Sequence, residues 1–201
     1  MVFIPRESSD MSRVPLASEG EDPLLQELVA KIHARGLDVP NLYMTIGNAP
    51  NMLQAWMGFT WPLRHDAASP RQLRELVVMR VAQWTRCAYM WAHHWSMATE
   101  NGLTSSQLET LADWRKSDEF DHRQQALLGY TEEVIGGHGV QDATFRQMQQ
   151  VFPTREIIEL TLAATFYLNL AHFALALDID IEPKFEAYAK LLPVTEEDTR
   201  G

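Results

Sequence analysis

The residues able to do chemistry gather in one short stretch of this chain. From Glu75 to His94 it reads ELVVMRVAQWTRCAYMWAHH, titratable side chains set among apolar ones. Met90, Trp91 and His94 follow Cys87 by three, four and seven residues, a spacing that puts all four on one helix face. Glu75 stands twelve residues before Cys87, at the start of the preceding helical pattern. A bend near Thr85-Arg86 would fold that carboxylate back against the His94 face. A carboxylate, a thiol and an imidazole would then share a partly dry pocket, where burial and mutual charge move pKa values toward acid/base or nucleophilic work.

Plainer roles compete for the same residues. A cysteine among Trp and Tyr also serves as a small buried hydrophobe. Glu75 suits the first turn of a helix, where the dipole favours negative charge. Met90 and Trp91 fit a core. His93 and His94 project about 100° apart on a helix, which opposes shared metal ligation. No HExxH or second His/Asp cluster completes a metal site, so no metal is expected. His172, after Asn169 on an apolar helix, reads first as a hydrogen-bonded buried histidine and second as an edge of the pocket. His33, His65, His122 and His138 sit in polar surroundings and read as solvated.

Helices are the elements that must position this set. Pro23 opens an apolar-periodic stretch that Gly36 closes, the expected asymmetry of helix ends. Asn48-Ala49-Pro50 starts the next. Ser69-Pro70-Arg71-Gln72 has the pattern of a capping box before Leu73 to Thr85, and Thr104-Ser105-Ser106-Gln107 repeats it. Further helical patterns cover about Asp121 to Ile135, Ala143 to Val151, and Arg155 to about Leu177 with Thr154 as cap. No alternating strand emerges. The expectation is an all-α fold of about eight helices: an irregular arm at 1–22, one domain at 23–192 and a tail at 193–201. Arg74-Glu75-Leu76-Val77 echoes in Arg155-Glu156-Ile157-Ile158, each followed by a Tyr and an Ala-His step, as a duplicated helical hairpin would produce.

Composition narrows the partners. The 201 residues carry 17 Lys and Arg against 27 Asp and Glu, a net charge of −10 that offers nucleic acid no basic footprint. A chain of this length buries enough surface to fold without covalent staples, and its single cysteine excludes an intramolecular disulfide framework or a CxxC motif. With no run of eighteen apolar residues and no secretory layout at the N-terminus, a cytoplasmic protein with no membrane partner is expected. The closely spaced Trp56, Met57, Phe59 and Trp61, and the nearly all-round apolar Phe166 to Phe173, need covering on several sides.

The stretch Arg74 to Gly102, with Trp56 upstream and the Arg155 helix downstream, resembles the carboxymuconolactone decarboxylase family, which includes alkyl hydroperoxide reductase D (AhpD). Its redox branch carries Glu-x11-Cys-x2-Cys-x3-His, which here becomes Glu75, Cys87, Met90 and His94. Cys87 to His94 is closer still to non-redox members reading C-x-Y-E-W-A-x-H. The resemblance implies an AhpD-like helical fold over most of residues 40 to 183 and a homo-oligomer, trimer or hexamer. For the redox branch it implies an attacking cysteine where Met90 stands, and a thioether cannot be a thiolate nucleophile. For the decarboxylase branch it implies a small organic acid or lactone as substrate and no metal or organic cofactor. His94 would donate or shuttle the proton, Glu75 would orient it, and Tyr89, Met90, Trp91 and His172 would line the substrate. Arg80 or Arg86 would hold a carboxylate, although helix-surface ion pairing is the role first expected of either. Two alternatives stand beside this: a thiol-dependent peroxidase using Cys87 with an external thiol, and a non-catalytic ligand-binding protein.

Overall fold

The computed structural model describes residues 12–20 and 22–193. Ten α-helices follow one another: α1 (Pro23–His33), α2 (Asn41–Ile46), α3 (Pro50–His65), α4 (Arg71–Thr85), α5 (Ala88–Glu100), α6 (Ser105–Thr110), α7 (His122–Ile135), α8 (Asp142–Val151), α9 (Thr154–Leu177) and α10 (Glu186–Ala189). Short 3₁₀ turns occupy Leu111–Lys116 and Pro183–Phe185, and the described residues contain no strand. The fold is all-α as expected, with α2 and α10 added to the eight helices the sequence announces. The first eleven residues of the expected arm and residues 194–201 of the tail lie outside the described residues.

The helix starts follow local chemistry, with two corrections. Asp22 caps α1, its Oδ1 accepting from the Leu24 and Leu25 amides at 2.8 and 3.1 Å. Thr104 with Gln107 closes a capping box at α6, and Asp121 with Gln124 closes another at α7. Ser69 does not cap α4. The cap position falls on Pro70, the Arg74 guanidinium takes the Ser69 hydroxyl at 3.1 Å, and Gln72 reaches away to the Gly102 carbonyl at 2.7 Å. Thr154 is likewise the first residue of α9 and Pro153 its cap, so its hydroxyl lies one position too late.

Helix α4 is the centre of the molecule. It packs on α5, α7 and α9, and every residue from Leu73 to Gln83 is buried. It ends in a left-handed residue, Arg86 at φ 55°, with the Cys87 amide on the Ala82 carbonyl (2.9 Å) and the Arg86 amide on that of Gln83 (3.1 Å). This pair of bonds is a Schellman cap, and it reverses the chain where the sequence calls for a bend. α5 then returns along α4.

The echo of α4 in α9 stops at the bend. Where the first copy turns at Arg86, α9 runs on as one helix. It has the length and apolarity of a membrane span, with mean hydropathy 1.6 in its most apolar window. Its buried side, Ile157, Leu160, Ala163, Ala164, Tyr167, Leu170, Ala171 and Ala174, packs into the bundle, chiefly against α4 and also against α7 and α5. The other leaves Ile158 (55%), Leu162 and Leu175 exposed, and it continues onto Phe59 of α3. Ser12 and Arg13 of the N-terminal arm bind the C-terminal end of α9 and the residues just after it, through Asp180, Leu177 and Ala176.

Candidate active site

The reversal at Arg86 brings Glu75 and His94 together. Glu75 Oε2 meets His94 Nδ1 at 2.7 Å, and both side chains are almost wholly buried. Arg71, one turn before Glu75, donates to Glu75 Oε1 from Nε at 2.6 Å, with Nη2 at 2.5 Å. Burial alone would raise the Glu75 carboxyl. His94, Arg71 and Arg64 outweigh it and hold it at about 2. Burial lowers the His94 imidazole below its ordinary value, and Arg64 and Arg71 add to that against Glu75. The resulting pair is a carboxylate receiving Nδ1–H from a neutral imidazole. Nε2 therefore carries the lone pair, and it has no hydrogen-bond partner among the described residues.

His94 lines a cavity of about 330 Å³. Tyr89, Met90, His93 and Met97 of α5 share that wall, Trp61, Arg64 and His65 come from the end of α3, and Leu42 and Tyr43 from α2. The residues after α9 contribute Glu182, Lys184 and Phe185. The walls are chiefly apolar with a few polar groups, the usual make-up of a small-molecule site. Arg64 is a half-buried cation of the cavity wall, which Arg35 and Lys184 also line. Its Nε reaches Tyr167 Oη at 3.4 Å, and its terminal nitrogens make no hydrogen bond among the described residues. Tyr167 beside it, aided by Tyr43 and Glu75, outweighs burial and keeps the guanidinium firmly charged.

Several expected site residues lie elsewhere. Cys87 is buried at the start of α5, outside the cavity lining, and burial pushes its thiol up to about 11 against the pull of the Met90 and Tyr89 amides. Trp91 is wholly buried in the core. The helix face shared by Cys87, Met90, Trp91 and His94 is wider than the cavity, which takes only Met90 and His94. His172 is exposed on α9, neither buried nor at the pocket edge, because the side of α9 that meets α4 carries Leu170, Ala171 and Ala174 instead. Arg80 is held by Glu132 at 2.6 Å, and Arg86 forms the helix cap, so neither reaches the cavity. Tyr89 does line it, but its hydroxyl accepts from the Leu42 amide at 3.1 Å and donates to Glu182 at 3.4 Å.

The sequence reading missed Arg64, Arg71, and His93 with Glu182. His93 Nε2 meets Glu182 Oε2 at 2.6 Å, and its ring stacks on Tyr89 and lies against Phe185 at 4.3 and 4.2 Å. His65 is exposed as expected yet borders the cavity mouth. His33, His122 and His138 are exposed. Among the described residues no cluster of three His, Cys, Asp or Glu is placed to hold a metal.

Residues 50–133 match the model of the carboxymuconolactone decarboxylase family, a segment that holds Arg64, Glu75, Cys87 and His94. An uncharacterized protein, YdfG, of Bacillus subtilis (strain 168) is 27% identical over 94 residues, 46% of this chain and 64% of that protein, so the chain spans somewhat under two thirds of this relative's length. Among solved structures, an uncharacterized peroxidase-related protein with an alkylhydroperoxidase AhpD core from Ralstonia eutropha JMP134 superposes with TM-score 0.76 at 19% identity, over 90% of this chain and 97% of that one. The apo debrominase Bmp8 gives 0.74 at 17% identity, over 93% and 100%. A peroxidase-related protein from Silicibacter sp. TM1040 gives 0.76 at 17%, over 90% and 96%.

Proposed function

We propose that this carboxymuconolactone decarboxylase-like, AhpD-like chain performs cofactor-independent acid/base chemistry on a small organic acid or lactone, decarboxylation being the reaction its cavity suits best. The observation that carries this reading is the His94–Glu75 pair: an imidazole oriented by a buried carboxylate, with its other nitrogen unpaired on a mostly apolar cavity. Loss of carbon dioxide from a conjugated lactone acid sends the bonding electron pair toward the ring carbonyl, and a proton must then reach carbon. Arg64 offers its terminal nitrogens to the carbonyl oxygen that takes up this charge. A guanidinium on the departing carboxylate would instead stabilise the ground state and slow the step. An anion in the cavity favours the imidazolium form of His94, which then gives its Nε2 proton to carbon while Glu75 holds Nδ1. The test is turnover of carboxylated lactones by the wild type and by His94→Ala. The variant is expected to lose about 10²- to 10⁴-fold in kcat/KM. Unchanged turnover removes His94 from the mechanism.

The thiol-peroxidase alternative has less support. Cys87 is protonated near neutral pH, stands away from the cavity, and has Met90 where a second cysteine would be needed. A homo-oligomer belongs to the preferred reading, because the exposed stripe of Ile158, Leu162 and Phe59 gives a second copy an apolar surface to cover. Light scattering is expected to give a multiple of the 23.0 kDa chain mass, and a monomer mass overturns it.

A further inference from the structure

We propose that His93, held by Glu182, is a second proton-transfer group of the same cavity, so that the site moves a proton between two carbons of an unsaturated lactone. Both imidazoles line the cavity from consecutive positions of α5. Each gives one nitrogen to a carboxylate, His94 to Glu75 at 2.7 Å and His93 to Glu182 at 2.6 Å, and keeps the other without a partner among the described residues. The carboxylates come from different elements, one from α4 and one from the segment after α9. Glu182 is itself fixed. Its Oε1 accepts the Asn41 amide at 2.7 Å and the Tyr89 hydroxyl at 3.4 Å, and its side chain is only 16% exposed. Tyr89 and Phe185 hold the His93 ring between them. If this segment only covered the cavity, apolar residues would serve, since a shielded ion pair seldom out-stabilises its hydrophobic replacement. An oriented imidazole whose free Nδ1 adjoins a cavity has the construction of a general acid.

The inference rests on the reading above that Nε2 of His94 is the cavity's proton-transfer atom; here the neutral imidazole acts in the opposite direction, as a base. With a β,γ-unsaturated γ-lactone bound, His94 Nε2 takes the proton from Cα, and the C–H electron pair passes into the ring, leaving charge on the carbonyl oxygen. The double bond then shifts as Cγ takes a proton from Nδ1 of His93, whose charge Glu182 has balanced. The product is the α,β-unsaturated isomer. His94 is left charged and His93 neutral, and exchange with solvent restores both. Nothing is oxidised or reduced.

α-Angelica lactone in D₂O, followed by proton NMR, tests this. The wild type is expected to exchange Cα–H for deuterium and to form the conjugated isomer with deuterium at Cγ. His93→Gln, which retains a donor for Glu182, is expected to slow isomerisation about a hundredfold more than Cα exchange. Glu182→Gln is expected to move the pH profile of isomerisation without moving that of exchange, and it carries the test should His93→Gln fail to fold by circular dichroism. Cα exchange without isomerisation in the wild type, or an unchanged ratio of the two rates in His93→Gln, overturns this inference and leaves the role of His94 standing. Absence of Cα exchange in the wild type also overturns this inference, while failure of the reading above shows separately, as absence of turnover of carboxylated lactones.

Discussion

Two glutamates of this molecule are buried with arginine partners, and their surroundings separate a reactive site from a structural one. Glu132 on α7 takes Arg80 and the Trp114 indole on Oε1, each at 2.6 Å, and Arg115 on Oε2 at 2.6 Å. Arg80 is spent further on Gln83 and the Leu111 carbonyl. Apart from the buried Arg80 Nε, which has no hydrogen-bond partner, the polar groups there end on other protein groups, and none lines the cavity. Glu75 on α4 begins the same way, with Arg71 on one oxygen, but its other oxygen meets an imidazole whose far side opens on a cavity. Burial and ion pairing are common to both; what lies beyond the partner distinguishes them.

Mutations can break that contrast. Glu132→Ala strands the buried Arg80, and about 3–5 kcal/mol of stability should be lost in urea titrations, with turnover per folded molecule unchanged. His94→Ala is expected to lose turnover at a smaller cost in stability, because Glu75 keeps Arg71, and parallel losses of stability and activity in both variants would erase the distinction. Arg64→Met should lower kcat/KM about tenfold to a hundredfold, less than loss of an oxyanion donor in a closed site, because the side chain is partly exposed. Acid sharpens the comparison next. Glu75 and His94 both bind protons less readily folded than unfolded, so the unfolded chain charges first as pH falls and stability drops. The His94 part begins below its ordinary 6.5, and the Glu75 part runs from its ordinary 4.5 down to about 2. Thermal melts of His94→Gln should lack the first part. The smallest effect belongs to Cys87→Ala, about 1 kcal/mol of stability with lactone turnover retained.

The legible parts of the molecule were those written locally. Asp22, the Thr104–Gln107 box and the α4–α5 bend depend on residues within a turn or two, and they brought Glu75 to His94 as the spacing implied. Helices α2 and α10, of six and four residues, are too short to show a period. His93 and Arg80 find their carboxylates 89 and 52 residues away, beyond any pattern in the sequence. Arg64 escaped notice because its importance comes from where α3 ends. Trp91 and His172 were misplaced for one reason: periodicity identifies an apolar helix but not which of its sides faces a cavity.

Arg71 joins the two halves of the site mechanically. Its Nε and Nη2 hold the Glu75 carboxylate, while Nη1 holds the backbone carbonyl of Arg64 at 2.9 Å, a carbonyl that also receives Arg74 at 3.2 Å. The end of α3 is thus clamped to the start of α4 by the same guanidinium that charges the dyad. Base and anion-binding group share one chassis, so a shift of α3 cannot retune one without dragging the other, and adaptation to a substrate of different span has to come from the opposite wall.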